Sequence, residues 1–311
     1  MRPLKTGLLG ISVLWMLSAC EETFIPETDP ADQEIVVEGY IEAGDRPTPP
    51  YVILTRSFPF FREINANQIN DSFVHDATVE VSNDEKSVLL TEFCFEELDA
   101  TQKEFAAALL GVNPDSVGFN FCAYTDLSFS MMGEEGKTYQ LAIDVGGKQL
   151  TATTSIPLHV PLDTLRFFPP PGEPNDTLLQ LRCIVNDPGG VPNYYRYFSK
   201  INSGPFLASF TSVTDDRLFD GQRFEFPLSK AEPVASDIDP LTFGLYHRGD
   251  TLTLKWVTFD KAHFDFWNTL EFNAANQGPF SNYTRVDHNI VGGLGIWGGL
   301  SATYYELLIT D

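Results

Sequence analysis

Tyr139, Leu141, Ile143 and Val145 alternate with Gln140, Ala142 and Asp144, and after Gly146-Gly147 the run Lys148-Gln149-Leu150-Thr151-Ala152-Thr153 follows. A period of two places alternate side chains on one face of an extended strand. Two such runs around a two-residue glycine loop form a β-hairpin, since glycine meets the positive φ of such a loop without strain. Similar strands are expected at Ile35-Val36-Val37-Glu38-Gly39-Tyr40-Ile41, Tyr51 to Thr55, Ala77 to Val81 and Ser87 to Leu90, with Asn83-Asp84 as a turn. With 25 Phe, 11 Tyr, 21 Pro and 23 Gly, the composition favours strands joined by turns. Residues 34–156 therefore read as an antiparallel sandwich of immunoglobulin-like or transthyretin-like type.

The 311 residues exceed what one small core organises. Pro157, Pro161, Pro169-Pro170-Pro171 and Pro174 mark residues 157–176 as an extended, semi-rigid connector. Beyond it come strands at Leu178 to Val185, Tyr194 to Ile201, Thr251 to Val257 and Ala302 to Ile309, with Asp187-Pro188-Gly189-Gly190 as a turn. Residues 177–311 read as a second β-sandwich-like module. The expected fold class is mainly β, two antiparallel modules with two short helices.

The first helix falls within an insertion at 95–121, where Asp99 and Gln102 have capping-box spacing, Phe105 and Leu109 share a face, and Gly111 with Asn113-Pro114 stops the helix. The second follows Asp260, carries Phe264, Trp267 and Leu270 as an apolar stripe, and ends at Gly278-Pro279. Cys94 and Cys122 flank the first insertion and are expected to be bonded. Closing that loop would stabilise by roughly 3–4 kcal/mol on the chain-entropy model. Cys183, in a strand-like run, reads as a buried free thiol.

Residues 1–19 read as a signal peptide: Arg2 and Lys5, then an apolar run from Leu8 to Leu17, too short to span a bilayer. Leu17-Ser18-Ala19-Cys20 resembles a bacterial lipobox, which implies that Cys20 carries a diacylglycerol and begins the mature chain. Residues 20–33, acidic and with Pro26 and Pro30, read as a tether. Glu21-Glu22 resembles a surface-export signal. The chain has 43 Asp and Glu against 20 Lys and Arg, a formal charge of −23. Such a field repels nucleic acid and anionic headgroups, so the membrane would be held through the acyl chains.

Gly293-Leu294-Gly295-Ile296-Trp297-Gly298 matches the letters of a dinucleotide fingerprint, but a strand-like run follows where that site needs a helix. Gly292, Gly293, Gly295, Gly298 and Gly299 are therefore read as structural, in a bend or bulge where backbones pack closely. His75, His159, His247, His263 and His288 show no metal spacing, and His263, three residues after a capping Asp260, reads as a surface residue. Asp215-Asp216 and Asp220-Gly221 offer oxygen ligands for calcium. They lack a twelve-residue ligand loop, so an acidic turn is the preferred reading. Phe58-Pro59-Phe60-Phe61 covers a core edge or inserts into a partner. No catalytic, metal or cofactor residue is assigned.

In order along the chain, these segments resemble one family. They are the lipobox, Ile35 to Ile41, Gly136-Lys137-Thr138-Tyr139-Gln140-Leu141, Asn186-Asp187-Pro188-Gly189 with Tyr194-Tyr195, Leu218-Phe219-Asp220-Gly221, and Asn289-Ile290-Val291-Gly292-Gly293-Leu294-Gly295-Ile296-Trp297. The family is the Bacteroidota surface-lipoprotein family known as domain of unknown function four-two-four-nine. The resemblance implies an accessory protein encoded beside TonB-dependent outer-membrane receptors, with a role in uptake, no cofactor and no catalytic residue to carry over. The expectation is a non-enzymatic lipoprotein of the outer membrane, exposed at the cell surface, that binds a glycan or peptide or caps a TonB-dependent transporter. A tethered glycan or peptide hydrolase and an adhesive surface module are the alternatives.

Overall fold

A computed structural model describes residues 33–58, 65–110, 120–172, 176–232, 239, 241–275 and 285–310. The lipobox, Cys20 and the tether up to residue 32 lie outside the described residues, as do residues 59–61, Gly111, Asn113-Pro114 and Gly278-Pro279. So do the side chains of Phe105 and Leu109. No helix among the described residues is long and apolar enough to cross a membrane.

Among the described residues, sixteen strands and three short α-helices are formed. The strands are β1 (Ile35–Gly44), β2 (Thr48–Arg56), β3 (Thr78–Ser82), β4 (Ser87–Leu89), β5 (Thr91–Cys94), β6 (Cys122–Thr125), β7 (Thr138–Val145) and β8 (Lys148–Ser155). They continue with β9 (Leu162–Phe168), β10 (Leu178–Asn186), β11 (Tyr194–Ile201), β12 (Leu207–Asp215), β13 (Arg223–Leu228), β14 (Tyr246–His247), β15 (Thr251–Phe259) and β16 (Leu294–Leu308). The helices are α1 (Ala66–Ser72), α2 (Ala100–Leu110) and α3 (Lys261–Ala275). Each starts at a side-chain cap. Asn65 and Gln68 form a reciprocal capping box, as do Asp99 and Gln102, and Asp260 accepts from the His263 N–H at 2.9 Å.

The strands form open, sandwich-like sheets. One eight-stranded sheet runs β12-β11-β15-β16-β1-β2-β6-β5, and β9, β10, β13 and β14 form a second. The order β4-β3-β7-β8 makes the third, with the expected hairpin turning at Val145 and Lys148. Both small sheets cover the same face of the large one. Val37, Ile41, Val52 and Leu54 meet Val79, Tyr139, Leu141 and Leu150 in one core. Tyr195, Leu252, Leu254 and Trp256 meet Leu179, Leu181, Cys183 and Val185 in the other.

The two halves thus have separate cores but share the long sheet. The join is β1 against β16, a parallel pair within otherwise antiparallel sheets. It is made possible by the glycines of residues 292–299, which lie in and just before a fifteen-residue strand where the backbones pack closely. A Cβ on Gly293 would fall 2.7 Å from the Ile35 carbonyl oxygen, and one on Gly299 2.9 Å from Ile156. On the facing strand, Gly39 leaves room for the Trp297 ring, where a Cβ would be 2.9 Å away. Asn289 holds Trp297 on both sides of its backbone, accepting from its N–H at 2.9 Å and donating to its C=O at 2.7 Å.

The proline-rich stretch departs from expectation. Residues 162–168 form β9 and pair with β10, and Val160 and Leu162 are buried. Trp256 Nε1 donates to the Val160 carbonyl at 2.9 Å, and Leu162 N–H donates to the Tyr305 hydroxyl at 2.7 Å. No proline falls inside 162–168, so the ladder is uninterrupted there.

Candidate functional site

The other face of the large sheet carries the candidate site. Because side chains alternate, Glu38, Tyr40 and Glu42 of β1 point away from the core that holds Val37 and Ile41. Register sets Tyr51 opposite Tyr40, Lys255 opposite both Tyr304 and Phe198, and Val257 opposite Arg196. Helix α3 lays His263 and Trp267 over one end. The result is a groove of about 270 Å³ crossing strands from both halves.

Its rings touch each other. Tyr40 stacks on His263 with centroids 5.3 Å apart and meets Tyr51 edge-on at 5.7 Å. Its cations are fixed. The Arg196 guanidinium lies 3.7 Å from the Trp267 ring centroid, donates from Nε to Ser212 Oγ at 2.7 Å, and pairs with Glu271 of α3 at 3.4 Å. Glu271 in turn accepts from the Ser212 N–H at 2.9 Å. Lys255 pairs with Glu42, whose other oxygen accepts from the Tyr304 hydroxyl at 2.8 Å.

Glu38 is the acid left over. It accepts from the Tyr40 hydroxyl at 3.3 Å and forms no ion pair among the described residues. Glu38 is exposed to solvent, and the protein crowded around its carboxyl strips part of its hydration and raises its pKa above the usual carboxylate range. Burial pushes the phenols of Tyr40 and Tyr51 well above their ordinary value, so both stay neutral donors. His263 is 2 % exposed, which corrects its reading as a surface residue: the ring packs between Tyr40 and Phe259. Burial first, then the nearby Arg196 charge, pulls its pKa down to about 3, and its Nδ1 has no partner.

Other residues singled out in the sequence lie elsewhere. Cys94 and Cys122 are bonded, on directly opposed positions of β5 and β6, and Cys183 is free and buried. Helix α2 packs Ala106 and Ala107 on Phe93 and Phe95 at the β5 end of the sheet. Asp216 and Asp220 approach Asp187, while Asp215 pairs with Arg217 at 2.7 Å. Phe58 is exposed at the end of β2. Sequence reasoning missed Glu38, Tyr40 and Glu42 as a group. Their signal is a polar alternation within an apolar strand.

A family described as domain of unknown function, DUF4249, matches the chain over residues 21–306. No curated protein matches it.

Proposed function

Since the chain belongs to the DUF4249 family, we propose that it acts by binding, as a non-enzymatic lipoprotein anchored to the outer membrane through Cys20 and exposed at the cell surface. In this reading it serves a TonB-dependent receptor in nutrient uptake, and its groove holds a glycan or peptide. The observation that carries the reading is the preorganised groove. Arg196 and Lys255 are locked by carboxylates and rings before any ligand arrives, so little side-chain freedom is lost on binding. Tyr40, Tyr51, Phe198 and Tyr304 offer flat apolar faces with polar edges, which suit sugar rings and peptide side chains alike.

Purification from native outer membranes tests the partnership, and screening of glycans and peptides against the Tyr51→Ala variant tests the groove. A receptor that co-purifies with the wild type, and a ligand whose affinity falls at least about tenfold in the variant, are expected. Cys20→Ser should release the protein from membranes. Purification with no barrel protein, together with ligand binding indifferent to Tyr51, would overturn the reading.

Glu38 supports a second reading, a tethered glycan or peptide hydrolase. A carboxyl whose pKa is raised by partial desolvation in a groove suits a general acid. Turnover of a glycan or peptide that is lost in Glu38→Gln would establish it in place of the first.

A further inference from the structure

Away from the groove, two loops are drawn together by glycines. A Cβ on Gly221 would lie 3.1 Å from Gly189 Cα, and Gly221 holds a φ of +69°. Only glycine fits such an approach at such a φ without strain. The loops then clasp each other through acids: Gly221 N–H donates to Asp187 Oδ2 at 3.0 Å, and Gly190 N–H donates to Asp220 Oδ1 at 2.8 Å. Asp216, just after β12, joins them. One oxygen from each of Asp187, Asp216 and Asp220 lies within 4.8 Å of the others.

Like charges at this spacing repel, and Asp187 and Asp216 are buried. Among the described residues no cationic side chain pairs with any of the three. The two nearest the cleft are committed elsewhere, Arg217 to Asp215 at 2.7 Å and Lys261 to Asp265 at 2.5 Å.

An independent observation points to the same place. Asn193 is 6 % exposed, and its side-chain oxygen has no hydrogen-bond partner. Its backbone exchanges hydrogen bonds with Asp216, donating to Oδ2 at 2.7 Å and accepting from the Asp216 N–H at 3.2 Å. Asn193 directly precedes β11, and its backbone bond from the Asp216 N–H continues the β11–β12 ladder one pair beyond Tyr194 and Asp215, so its side chain falls on the same face as those of Asp216 and Tyr195. The Tyr195 hydroxyl donates to Asp187 Oδ1 at 2.5 Å, so the Asn193 amide lies on the carboxylate side. A buried carbonyl oxygen without a donor is costly, and a cation beside three carboxylates satisfies it. A cleft of about 720 Å³, lined by Gly190, Tyr194, Asp216 and Asp220, leads in from solvent.

We propose that Asp187, Asp216, Asp220 and the side-chain oxygen of Asn193 form a calcium site that pins the 187–190 and 220–221 loops to the start of β11. The donors are all oxygen and come from two irregular segments, the β10–β11 and β12–β13 connections. That suits the six to eight flexible ligands of calcium better than the strict octahedron of magnesium. Water and backbone carbonyls complete the shell. Burial raises the Asp216 pKa above the usual carboxylate range, and the Asp187 and Asp220 charges add to it. A bound divalent cation reverses that direction.

The test uses the mature chain, stripped with chelator and titrated with calcium to about 10 mM, above the range of weak extracellular sites. Calorimetry should give one calcium per chain, and the melting temperature should rise with calcium but not with equal magnesium. Asp216→Asn and Asp220→Asn should each weaken binding at least about tenfold. Asp220 is exposed, so its variant decides the matter if Asp216→Asn fails to fold. No heat and no thermal shift in the wild type would overturn the proposal. So would an undiminished calcium response in Asp220→Asn, or a magnesium response equal to that of calcium.

Discussion

Val37 and Gly295 oppose each other across the parallel pair of β1 and β16, and a Cβ on Gly295 would fall 1.9 Å from the Val37 carbonyl oxygen. Gly295 also holds a φ of +104°. Any other residue must push the two strands apart where the halves of the chain are joined. Gly295→Ala should cost about 3 kcal/mol or more, from backbone strain and lost ladder bonds. Urea denaturation of the variant measures this, and a loss below about 1 kcal/mol would show that the strands separate easily.

The Cys94–Cys122 bond closes a separation of 28 residues that contains helix α2. On the chain-entropy model the bond is worth roughly 3–4 kcal/mol. The Cys94→Ser/Cys122→Ser double variant should lose about that much in denaturant titration. The disturbance should centre on the α2 end of the sheet, where Phe93, Phe95, Ala106 and Ala107 form their own cluster. Hydrogen exchange in β10 and β15 should stay near its wild-type level.

Cys183 sits in the second core beside Leu181 and Val185, and burial drives its thiol well above the ordinary range. A thiolate is needed for reaction, so the native thiol should be inert. In a chain begun after Cys20 and kept non-reduced, a thiol reagent should label no residue in buffer and one in denaturant. Rapid labelling of the native protein would contradict the burial.

Much of this fold was legible, because period-two alternation is written locally. The β7–β8 hairpin and β15 lie where their alternation placed them, and β10 and β11 where strand-like runs were expected. Strand β9 was hidden because the prolines around it outweighed the short run from Leu162 to Phe168. Strand β12 reads weakly because Ser209, Thr211, Ser212 and Thr214 blur its alternation. Nothing local announces that Ile35–Gly44 will pair with Leu294–Leu308, since the complementarity lies in glycines far apart in sequence. The groove was illegible for the same reason: Tyr40, Arg196, Lys255 and Trp267 converge only once those strands align. Of the acidic cluster, Asp216 and Asp220 were visible as a pair, while Asp187 passed as a turn residue.

Arg196 and Glu271 link β11 to helix α3 with side chains only 8 % and 18 % exposed. Arg196→Ala strips the partner from a largely buried carboxylate and the guanidinium from the Trp267 face. Removing one member of a buried pair costs about 3–5 kcal/mol. The Arg196→Met/Glu271→Gln double variant should be less damaging than Arg196→Ala, because it leaves no lone charge. Chemical denaturation of the two compares them. A double variant as unstable as the single one would mean that stacking, not charge, sets the cost.

His263 gives the pH prediction. Its folded pKa is near 3 against an unfolded value of about 6.5, so the fold favours the neutral ring. Below pH 6.5 the unfolded chain binds a proton that the native chain refuses. The stability contributed by this group is therefore complete above about pH 6.5 and is lost as pH falls toward 3. The slope is at most about 1.4 kcal/mol per pH unit. The acids whose pKa is raised, Glu38, Asp216 and Asp260, act in the opposite sense, so the wild-type slope is a sum. Comparison with His263→Phe isolates the histidine. Phenylalanine keeps a ring between Tyr40 and Phe259 and removes the unpartnered Nδ1. Denaturant titrations at pH 7, 6, 5 and 4 should show the variant gaining on the wild type at each step down. A difference that stays constant across that range would mean that His263 does not titrate on unfolding as its burial requires.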